Sequence, residues 1–209
     1  MPLKIYVASS WRNEERQQAV VKALREAGHS VYDFRHPAPG DTGFSWKQVV
    51  GKDQNCDVCH YAMADGRCSC GWQLKDPKTF RDEVLTHPIA QAAFAKDMNA
   101  LREADACVLV LPCGRSAHLE LGWAQGFIDG WNACARDERV DNLCTRHTYV
   151  LMDKIVDEPE LMYIMCGLGN VCTSIEEVLL GLRGQTSPSP GIVKAMAGGD
   201  RDFSGDPPT

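Results

Sequence analysis

The chain has 209 residues, of which 44% are hydrophobic and 24% are charged, and its formal net charge is −6. This composition fits one globular domain with room for insertions. The negative charge argues against a nucleic-acid polymer as partner, because such binding needs a basic face. No apolar run approaches the ~20 residues of a membrane helix, and the first residues run into a strand pattern rather than a secretory signal. We therefore expect a cytoplasmic protein with no membrane partner.

The first part of the chain predicts a strand, a helix and a second strand. Lys4–Ala8 is a short apolar run, and residues 14–27 repeat apolar side chains at helical spacing until Gly28 ends the pattern. A second strand is predicted over residues 29–34. Two strands joined by a helix in this way are expected to lie parallel in one sheet.

The turn after the first strand carries polar residues that can bind an anion. Ser9, Ser10 and Arg12 lie at the start of the predicted helix. Backbone N–H groups at a helix start favour negative charge, and arginine adds two parallel donors. A serine cap beside a solvated arginine explains the same residues without any ligand.

Residues 36–78 lack periodicity and are predicted to be an insertion. Within this insertion a Cys-x-x-Cys pair precedes a Cys-x-Cys pair, which makes a compact set of four thiols: Cys56, Cys59, Cys68 and Cys70. Four thiolates can hold a structural zinc ion that orders a loop, whereas free thiols or labile disulfides are the alternative. We assign this segment no catalysis, and we expect no cofactor for the chemistry.

A helical pattern begins at residues 79–83, restarts at Pro88 and continues towards Ala104. Asp97 lies on or beside the packed face of this helix, about two turns before the next strand. The alternative is a surface aspartate beside Lys96.

The most informative stretch is the apolar run over residues 104–111, which predicts a strand buried on both faces. Pro112 and Gly114 end this strand, and Ser116 is the predicted cap of a helix that carries Glu120 in its first turns. Ligands bind at the carboxyl ends of strands in open α/β sheets, so Glu120 is a candidate catalytic carboxylate. The alternative is a glutamate that only stabilises the helix dipole.

This helix is predicted to end near Asp129, and His118 within it is interpreted as a surface residue. The later elements are, in order, a second insertion over residues 131–146, a strand over 147–152, a short helix over 158–165, a brief strand over 170–172, a helix capped by Ser174 and ending near Leu182, and a disordered tail over 185–209. The sequence thus predicts a doubly wound α/β domain over residues 1–184, with about five parallel strands and a flavodoxin-like or Rossmann-like order.

Three stretches give the chain a resemblance to the nucleoside 2-deoxyribosyltransferase superfamily, which includes the 2'-deoxynucleoside 5'-phosphate N-hydrolases. They are residues 5–11 with their tyrosine, residues 97–101, and the Glu-Leu-Gly-Trp-Ala block of residues 120–124. The resemblance implies that Glu120 attacks the anomeric carbon of a nucleoside or nucleotide. It also implies that Asp97 protonates the departing base and that Tyr6 orients Glu120.

The resemblance further implies how substrate is bound. Ser10 and Arg12 match the phosphate-binding residues of the nucleotide hydrolases, and Arg115 and Ser116 can add to that contact. Family members complete each pocket with a neighbouring subunit, so a homodimer or larger homo-oligomer with shared sites is implied, with Glu160 and Met162 in the contributed stretch. Met162 packed in the core is the alternative.

The sequence departs from the family at two of these positions. Gly114 stands where the transferases have aspartate and where the phosphate-binding branch tends to have serine, and Glu160 stands where the transferases have asparagine. Because Ser10, Arg12 and Arg115 look like phosphate ligands, we favour N-glycosidic cleavage of nucleoside 5'-monophosphates over base transfer between unphosphorylated nucleosides. The same residues would also suit a TIR-like NAD glycohydrolase or a nucleotide sensor without turnover.

Overall fold

The computed structural model describes residues 1–45, 49, 77–137, 143–152 and 160–184. These residues form one five-stranded sheet of order β2-β1-β3-β4-β5 in which every neighbouring pair is parallel. This confirms the predicted parallel α/β sheet. The strands are β1 (Lys4–Ala8), β2 (Ser30–Asp33), β3 (Ala106–Val110), β4 (His147–Leu151) and β5 (Val171–Cys172).

Helices cover both faces of the sheet. The helices are α1 (Glu14–Glu26), α2 (Pro77–Thr79) with a π-helical turn over Phe80–Val84, α3 (Pro88–Glu103), α4 (Arg115–Asp137) and α5 (Ile175–Arg183), with 3-10 turns over Leu161–Cys166 and Leu168–Asn170. Helices α1 and α5 pack in one buried cluster with the first face of the sheet, and α3 and α4 pack in a second cluster with the opposite face. The domain is therefore doubly wound.

The central strands are apolar because helices cover both faces of the sheet. All five residues of β3 are buried, because a parallel strand between two helical layers has no solvated face. In β1, Ile5 and Val7 belong to the cluster beneath α1 and α5, whereas Tyr6 belongs to the cluster beneath α3 and α4. The Tyr6 side chain, which carries a hydroxyl group, therefore points to the face of the sheet that α3 and α4 cover.

The strand order creates a crevice at the carboxyl ends of β1 and β3. The chain leaves β1 towards β2 on one side, while β3 continues towards β4 on the other side. Ligands of open α/β sheets bind where the strand order reverses in this way. Ser9 Oγ donates to the carbonyl oxygen of Val110 at 2.9 Å, which ties the loop after β1 to the end of β3.

Helix α4 is longer than the sequence pattern predicted. It runs to Asp137, so the predictions that it ends near Asp129 and that residues 131–137 belong to an insertion are wrong. Ile128 and Ala135 are buried two turns apart, and Phe127 stacks on Trp131. Three glycines within the helix, Gly122, Gly126 and Gly130, obscured this periodicity.

The start of α4 also differs from the prediction. The helix begins at Arg115, so Ser116 lies inside it and is not its cap. The Gly114 carbonyl oxygen accepts from the His118 N–H at 3.4 Å, as the residue before a helix does. At the other end of the chain, Ser174 does cap α5, as predicted, by accepting from the Glu177 N–H.

Several predictions concern residues outside the described ones. The four predicted zinc ligands, Cys56, Cys59, Cys68 and Cys70, lie there, as does the predicted tail over residues 185–209. Within the described ranges, no group of three or more His, Cys, Asp or Glu side chains is placed to hold a metal. No helix in those ranges is long and apolar enough to cross a membrane.

A buried polar network fixes the loop after β1. Gln17 Nε2 donates to Asp33 Oδ1 at 2.9 Å, and Arg35 Nε donates to Gln17 Oε1 at 3.1 Å. These three side chains are 0%, 1% and 4% exposed respectively, so the contacts replace water rather than compete with it. Arg35 Nη2 also donates to the carbonyl oxygens of Ser10 and Trp11, at 3.0 and 2.6 Å. The loop backbone is thereby held against the end of β2.

The segment after β2 folds back onto the same loop. Gly43 has a φ of +72°, and a Cβ atom there would lie 2.2 Å from the Phe34 carbonyl oxygen and 3.2 Å from the Trp11 ring. Only glycine fits this close approach. The segment of residues 36–45 therefore returns to the β1–α1 loop at Gly43.

Replacing Gln17 by leucine is expected to destabilise the protein by about 3 kcal/mol, because a buried carboxylate and a buried guanidinium each lose a partner. Urea unfolding followed by circular dichroism measures the change. Glu26→Gln is the control, since Glu26 only forms an exposed ion pair with Lys22, and its cost is expected to stay below ~0.5 kcal/mol. An unchanged urea midpoint for Gln17→Leu would contradict the structural role of the network.

Candidate active site

A row of side chains crosses the sheet on the α3–α4 side. Tyr32 of β2 is the register partner of Tyr6 of β1, and Tyr6 is the register partner of Cys107 of β3. The two tyrosine rings stack with centroids 5.3 Å apart and planes inclined by 16°. This row forms the floor of the candidate site.

Two carboxyl groups meet above this floor. Asp97 comes from α3, where Leu101, one turn later, is buried against the sheet, and its Oδ1 accepts from the Tyr32 hydroxyl at 2.6 Å. Glu120 comes from the second turn of α4, and the nearby Tyr6 hydroxyl favours the ionised form of its carboxyl. Each carboxyl therefore has one of the stacked tyrosines as its partner.

The electrostatics of Glu120 are unusual for a glutamate. Burial, and then the negative charge of Asp97, raise the pKa of Glu120 to about 8, while the Tyr6 hydrogen bond acts in the opposite direction. Burial also raises the pKa of Asp97, opposed by the Tyr32 hydrogen bond and the charge of Lys96. An ionised Asp97 therefore makes the ionisation of Glu120 less favourable.

The partners of the two carboxyls differ in the free protein. Asp97 has a hydrogen bond and a nearby cation that favour its ionised form, whereas Glu120 faces the charge of Asp97. A pKa of about 8 keeps Glu120 protonated at neutral pH. The resemblance implies the opposite state, in which Glu120 attacks as a carboxylate and Asp97 carries the proton.

The predicted anion-binding residues border the crevice from two loops. In the β1–α1 loop, Ser10 Oγ accepts from the Arg12 N–H at 3.1 Å, and the Arg12 side chain is exposed. In the β3–α4 loop, Gly114, Arg115 and Ser116 are exposed at the start of α4. Backbone N–H groups, two guanidinium groups and serine hydroxyls are thus available at neighbouring strand ends.

The remaining predicted residues do not join the carboxyl pair in the single chain. Glu160 is exposed, and Met162 is 62% exposed at the 3-10 turn Leu161–Cys166. The alternative that Met162 belongs to the core is therefore wrong. The structure brings Tyr6, Asp97 and Glu120 together and leaves Glu160 and Met162 at the surface.

His118 is not the surface residue that the sequence pattern suggested. Its Nδ1 lies 3.0 Å from the Gly114 carbonyl oxygen, and its Nε2 lies 2.8 Å from the Tyr163 hydroxyl. Donation from Nδ1 and acceptance at Nε2 satisfy both neighbours with a neutral ring. Cys113 Sγ is 3.4 Å from Nδ1. His118 therefore fastens the 3-10 turn to the start of α4, two residues before Glu120.

Tyr32 is the site residue that the sequence analysis missed. The available signal was the alignment of β1 with β2, which are joined by one helix and therefore lie side by side. In that alignment Tyr6 and Tyr32 fall opposite each other on one face. The contact with Asp97 depends on where α3 crosses the sheet, which periodicity does not give.

No protein-family model and no curated protein matches this chain. Any functional interpretation consequently depends on the residues and their geometry.

Replacing Glu120 by glutamine is expected to stabilise the protein at alkaline pH. The pKa of Glu120 is about 8 in the folded protein against an ordinary value of 4.5, so the native state holds this proton more tightly than the unfolded chain does. The stabilisation due to this proton is complete below pH 4.5 and is lost as the pH rises through about 8. Glutamine cannot ionise.

Melting temperatures of the wild type and Glu120→Gln at pH 5 and pH 9 test this expectation. The variant should melt at a higher temperature than the wild type only at pH 9. The control is Glu103→Gln, which alters an exposed residue paired with Lys4. If the melting temperatures of the wild type and Glu120→Gln differed by the same amount at both pH values, the raised pKa of Glu120 would be contradicted.

Proposed function

We propose that this protein is an N-glycosidase that cleaves (deoxy)nucleoside 5'-monophosphates through a covalent glycosyl–Glu120 intermediate. The observation that carries the proposal is the pair of half-buried carboxyls, Asp97 and Glu120, each beside a tyrosine on the face of the sheet that α3 and α4 cover. The resemblance of residues 5–11, 97–101 and 120–124 to the nucleoside 2-deoxyribosyltransferase superfamily supports the same reaction.

The first step breaks the bond between the sugar and the base. A Glu120 oxygen forms a bond to the anomeric carbon while the C1'–N electron pair leaves with the base. Asp97 gives its proton to the departing base, so that a neutral base is released. The reactive form therefore has its proton on Asp97 and a carboxylate at Glu120, which is one of the two arrangements of a single shared proton. Tyr6 orients Glu120 for attack.

The second step frees Glu120. Asp97, now ionised, accepts a proton from water, and the oxygen of this water attacks the anomeric carbon and displaces the Glu120 carboxylate. The products are a free base and a sugar phosphate. A second base in place of water would give base exchange, and the choice between the two depends on what occupies the emptied base position.

A 5'-phosphate is the feature that we propose for recognition. Ser10 and Arg12 at one loop, with Arg115 and Ser116 at the next, offer the donors that a phosphate needs. Gly114 adds no side chain between them, and a Cβ atom there would meet nothing within 4 Å. Ser9 positions the first loop, because its hydroxyl donates to the Val110 carbonyl oxygen. No cofactor is required for this chemistry. Structural zinc at the cysteines of residues 56–70 is a separate proposal.

We also propose that a second copy of the chain completes each site. Several large apolar side chains of the 3-10 turns are exposed, and exposed apolar clusters of this kind mark contact surfaces. They are Leu161, Met162, Ile164, Met165 and Leu168. Glu160 adjoins this surface and would reach the site of the partner copy.

Replacing Glu120 by alanine is expected to abolish base release, with a loss of at least about 1,000-fold in kcat, because the nucleophile is removed. Chromatography of released base from purine and pyrimidine deoxynucleoside 5'-monophosphates measures the effect. Incubation with a 2-fluoro-arabino nucleotide should add the mass of the glycosyl group to the peptide that contains Glu120. The control is Glu103→Ala, which removes an exposed carboxylate outside the site and should retain activity.

Different outcomes of the same assay would identify a different activity. Base release at the wild-type rate from Glu120→Ala would refute the covalent mechanism. New nucleotide formed only with an added acceptor base would identify a transferase, and nicotinamide released from NAD would identify an NAD glycohydrolase. Nucleotide binding without any released base would identify a sensor.

Replacing Arg12 by alanine is expected to raise KM for a deoxynucleoside 5'-monophosphate about 10-fold or more, the effect of losing a charge-assisted hydrogen bond of ~1.5–3 kcal/mol. KM for the unphosphorylated nucleoside should not change. Arg102→Ala is the matched control, since Arg102 is exposed on α3 and contacts Asn99. Equal turnover of both substrates by the wild-type protein would contradict phosphate recognition.

A further inference from the structure

Tyr32 makes a contact with Asp97 that the packing of its ring does not require. The ring stacks on Tyr6 and is only partly buried, so a phenylalanine would pack in the same place and water could satisfy a hydroxyl. The Tyr32 hydroxyl nevertheless donates to Asp97 Oδ1 at 2.6 Å. Such a short O–H···O contact is typical of donation to a charged acceptor.

This contact makes the two oxygens of Asp97 unequal. Oδ1 is occupied as an acceptor of the Tyr32 hydrogen bond. Burial and the hydrogen bond to Asp97 raise the pKa of Tyr32, so its phenol keeps its proton and remains a donor. A proton on the Asp97 carboxyl is consequently favoured on Oδ2, the oxygen that Tyr32 leaves open.

We propose that Tyr32 is a positioning residue for the acid step: it holds Asp97 by Oδ1 so that Oδ2 delivers the proton to the departing base. The inference rests on the proposed N-glycosidase function and extends it to a residue on a different strand. In the step itself the proton moves from Oδ2 to a ring nitrogen of the base, and the C1'–N electron pair leaves with that base while Glu120 bonds to C1'.

The two stacked tyrosines then have matching tasks. The Tyr6 hydroxyl interacts with the Glu120 carboxyl, which attacks. The Tyr32 hydroxyl donates to the Asp97 carboxyl, which gives the proton. Because the rings stack in register on neighbouring strands, the separation of the two hydroxyls is set by the sheet rather than by flexible side chains. The sheet therefore sets the spacing of the carboxyl pair.

Other charged and titratable groups around the pair contribute to its ionisation and are present in both Tyr32→Phe and Tyr149→Phe. On the floor and the adjoining loops they are Tyr6, Cys107, Cys113 and Asp41, and on α3 the neighbour is Lys96, which pairs with Asp41. Tyr32→Phe removes one hydroxyl and leaves all of these groups in place.

The kinetic test compares two leaving groups. With a purine deoxynucleoside 5'-monophosphate, Tyr32→Phe is expected to lower kcat about 10- to 100-fold with little change in KM, because a misplaced acid slows only the chemical step. With 4-nitrophenyl 2-deoxyriboside 5-phosphate, whose leaving group departs without a proton, kcat should stay within about twofold of wild type. A purely structural role for Tyr32 would slow both substrates equally, and that result would overturn the proposal.

The control variant is Tyr149→Phe. Tyr149 lies on β4 within the cluster on the opposite face of the sheet, so its hydroxyl can be removed without touching the carboxyl pair. This variant is expected to cleave both substrates as the wild type does. Melting temperatures of the two variants verify that each is folded at the assay temperature.

A second measurement does not depend on turnover. Carbon-13 NMR of the side-chain carboxyls in the full chain reports the ionisation of Asp97, with Asp97→Asn identifying its signal. Removing a donor to the ionised form should raise the pKa of Asp97 in Tyr32→Phe and leave it unchanged in Tyr149→Phe. An Asp97 titration identical to wild type in Tyr32→Phe would overturn the inference, whatever the kinetics.

The two proposals fail in different ways. If the wild-type chain cleaves neither substrate, the N-glycosidase function and the kinetic role of Tyr32 are both refuted, while the titration still decides whether Tyr32 holds the Asp97 carboxylate. If the wild type is active and Tyr32→Phe does not distinguish the two leaving groups, the function stands and the positioning role is refuted.

Discussion

The negative charge of Asp97 opposes the ionisation of the half-buried Glu120, and the rest of the site is arranged around this repulsion. Neither group could be held there by helix packing alone, because buried charges need partners. The sheet supplies them as hydroxyl groups on Tyr6 and Tyr32. The pair thus holds a proton near neutral pH, which two solvated carboxyls would not do.

The doubly wound topology makes this arrangement possible. Asp97 and Glu120 lie on two helices that cover the same face of the sheet and are separated in sequence by strand β3. Parallel strands bring the ends of β1 and β3 to one edge, where the Ser9 hydrogen bond joins their loops. Residues far apart in the chain therefore meet without a long connecting loop.

Much of the fold could be predicted from local patterns. The bounds of β1, the parallel order and the Ser174 cap follow from apolar runs and capping chemistry that act over a few residues. The length of α4 could not be predicted, because its glycines interrupt a periodicity that is maintained by packing against the sheet. Which carboxyls approach each other was expected from motifs, whereas the contacts of Tyr32 and His118 depend on how helices cross strands and on one 3-10 turn.

Gly43 has a consequence for how such a domain could change. Because this residue lies against Phe34 and Trp11, the chain departs for residues 46–76 from the rim of the crevice rather than from a distant edge of the sheet. Insertions, deletions or exchanges in that stretch would begin next to the loop that carries Ser10 and Arg12. Such changes would alter the rim of the crevice while the carboxyl pair and its tyrosines stay as they are.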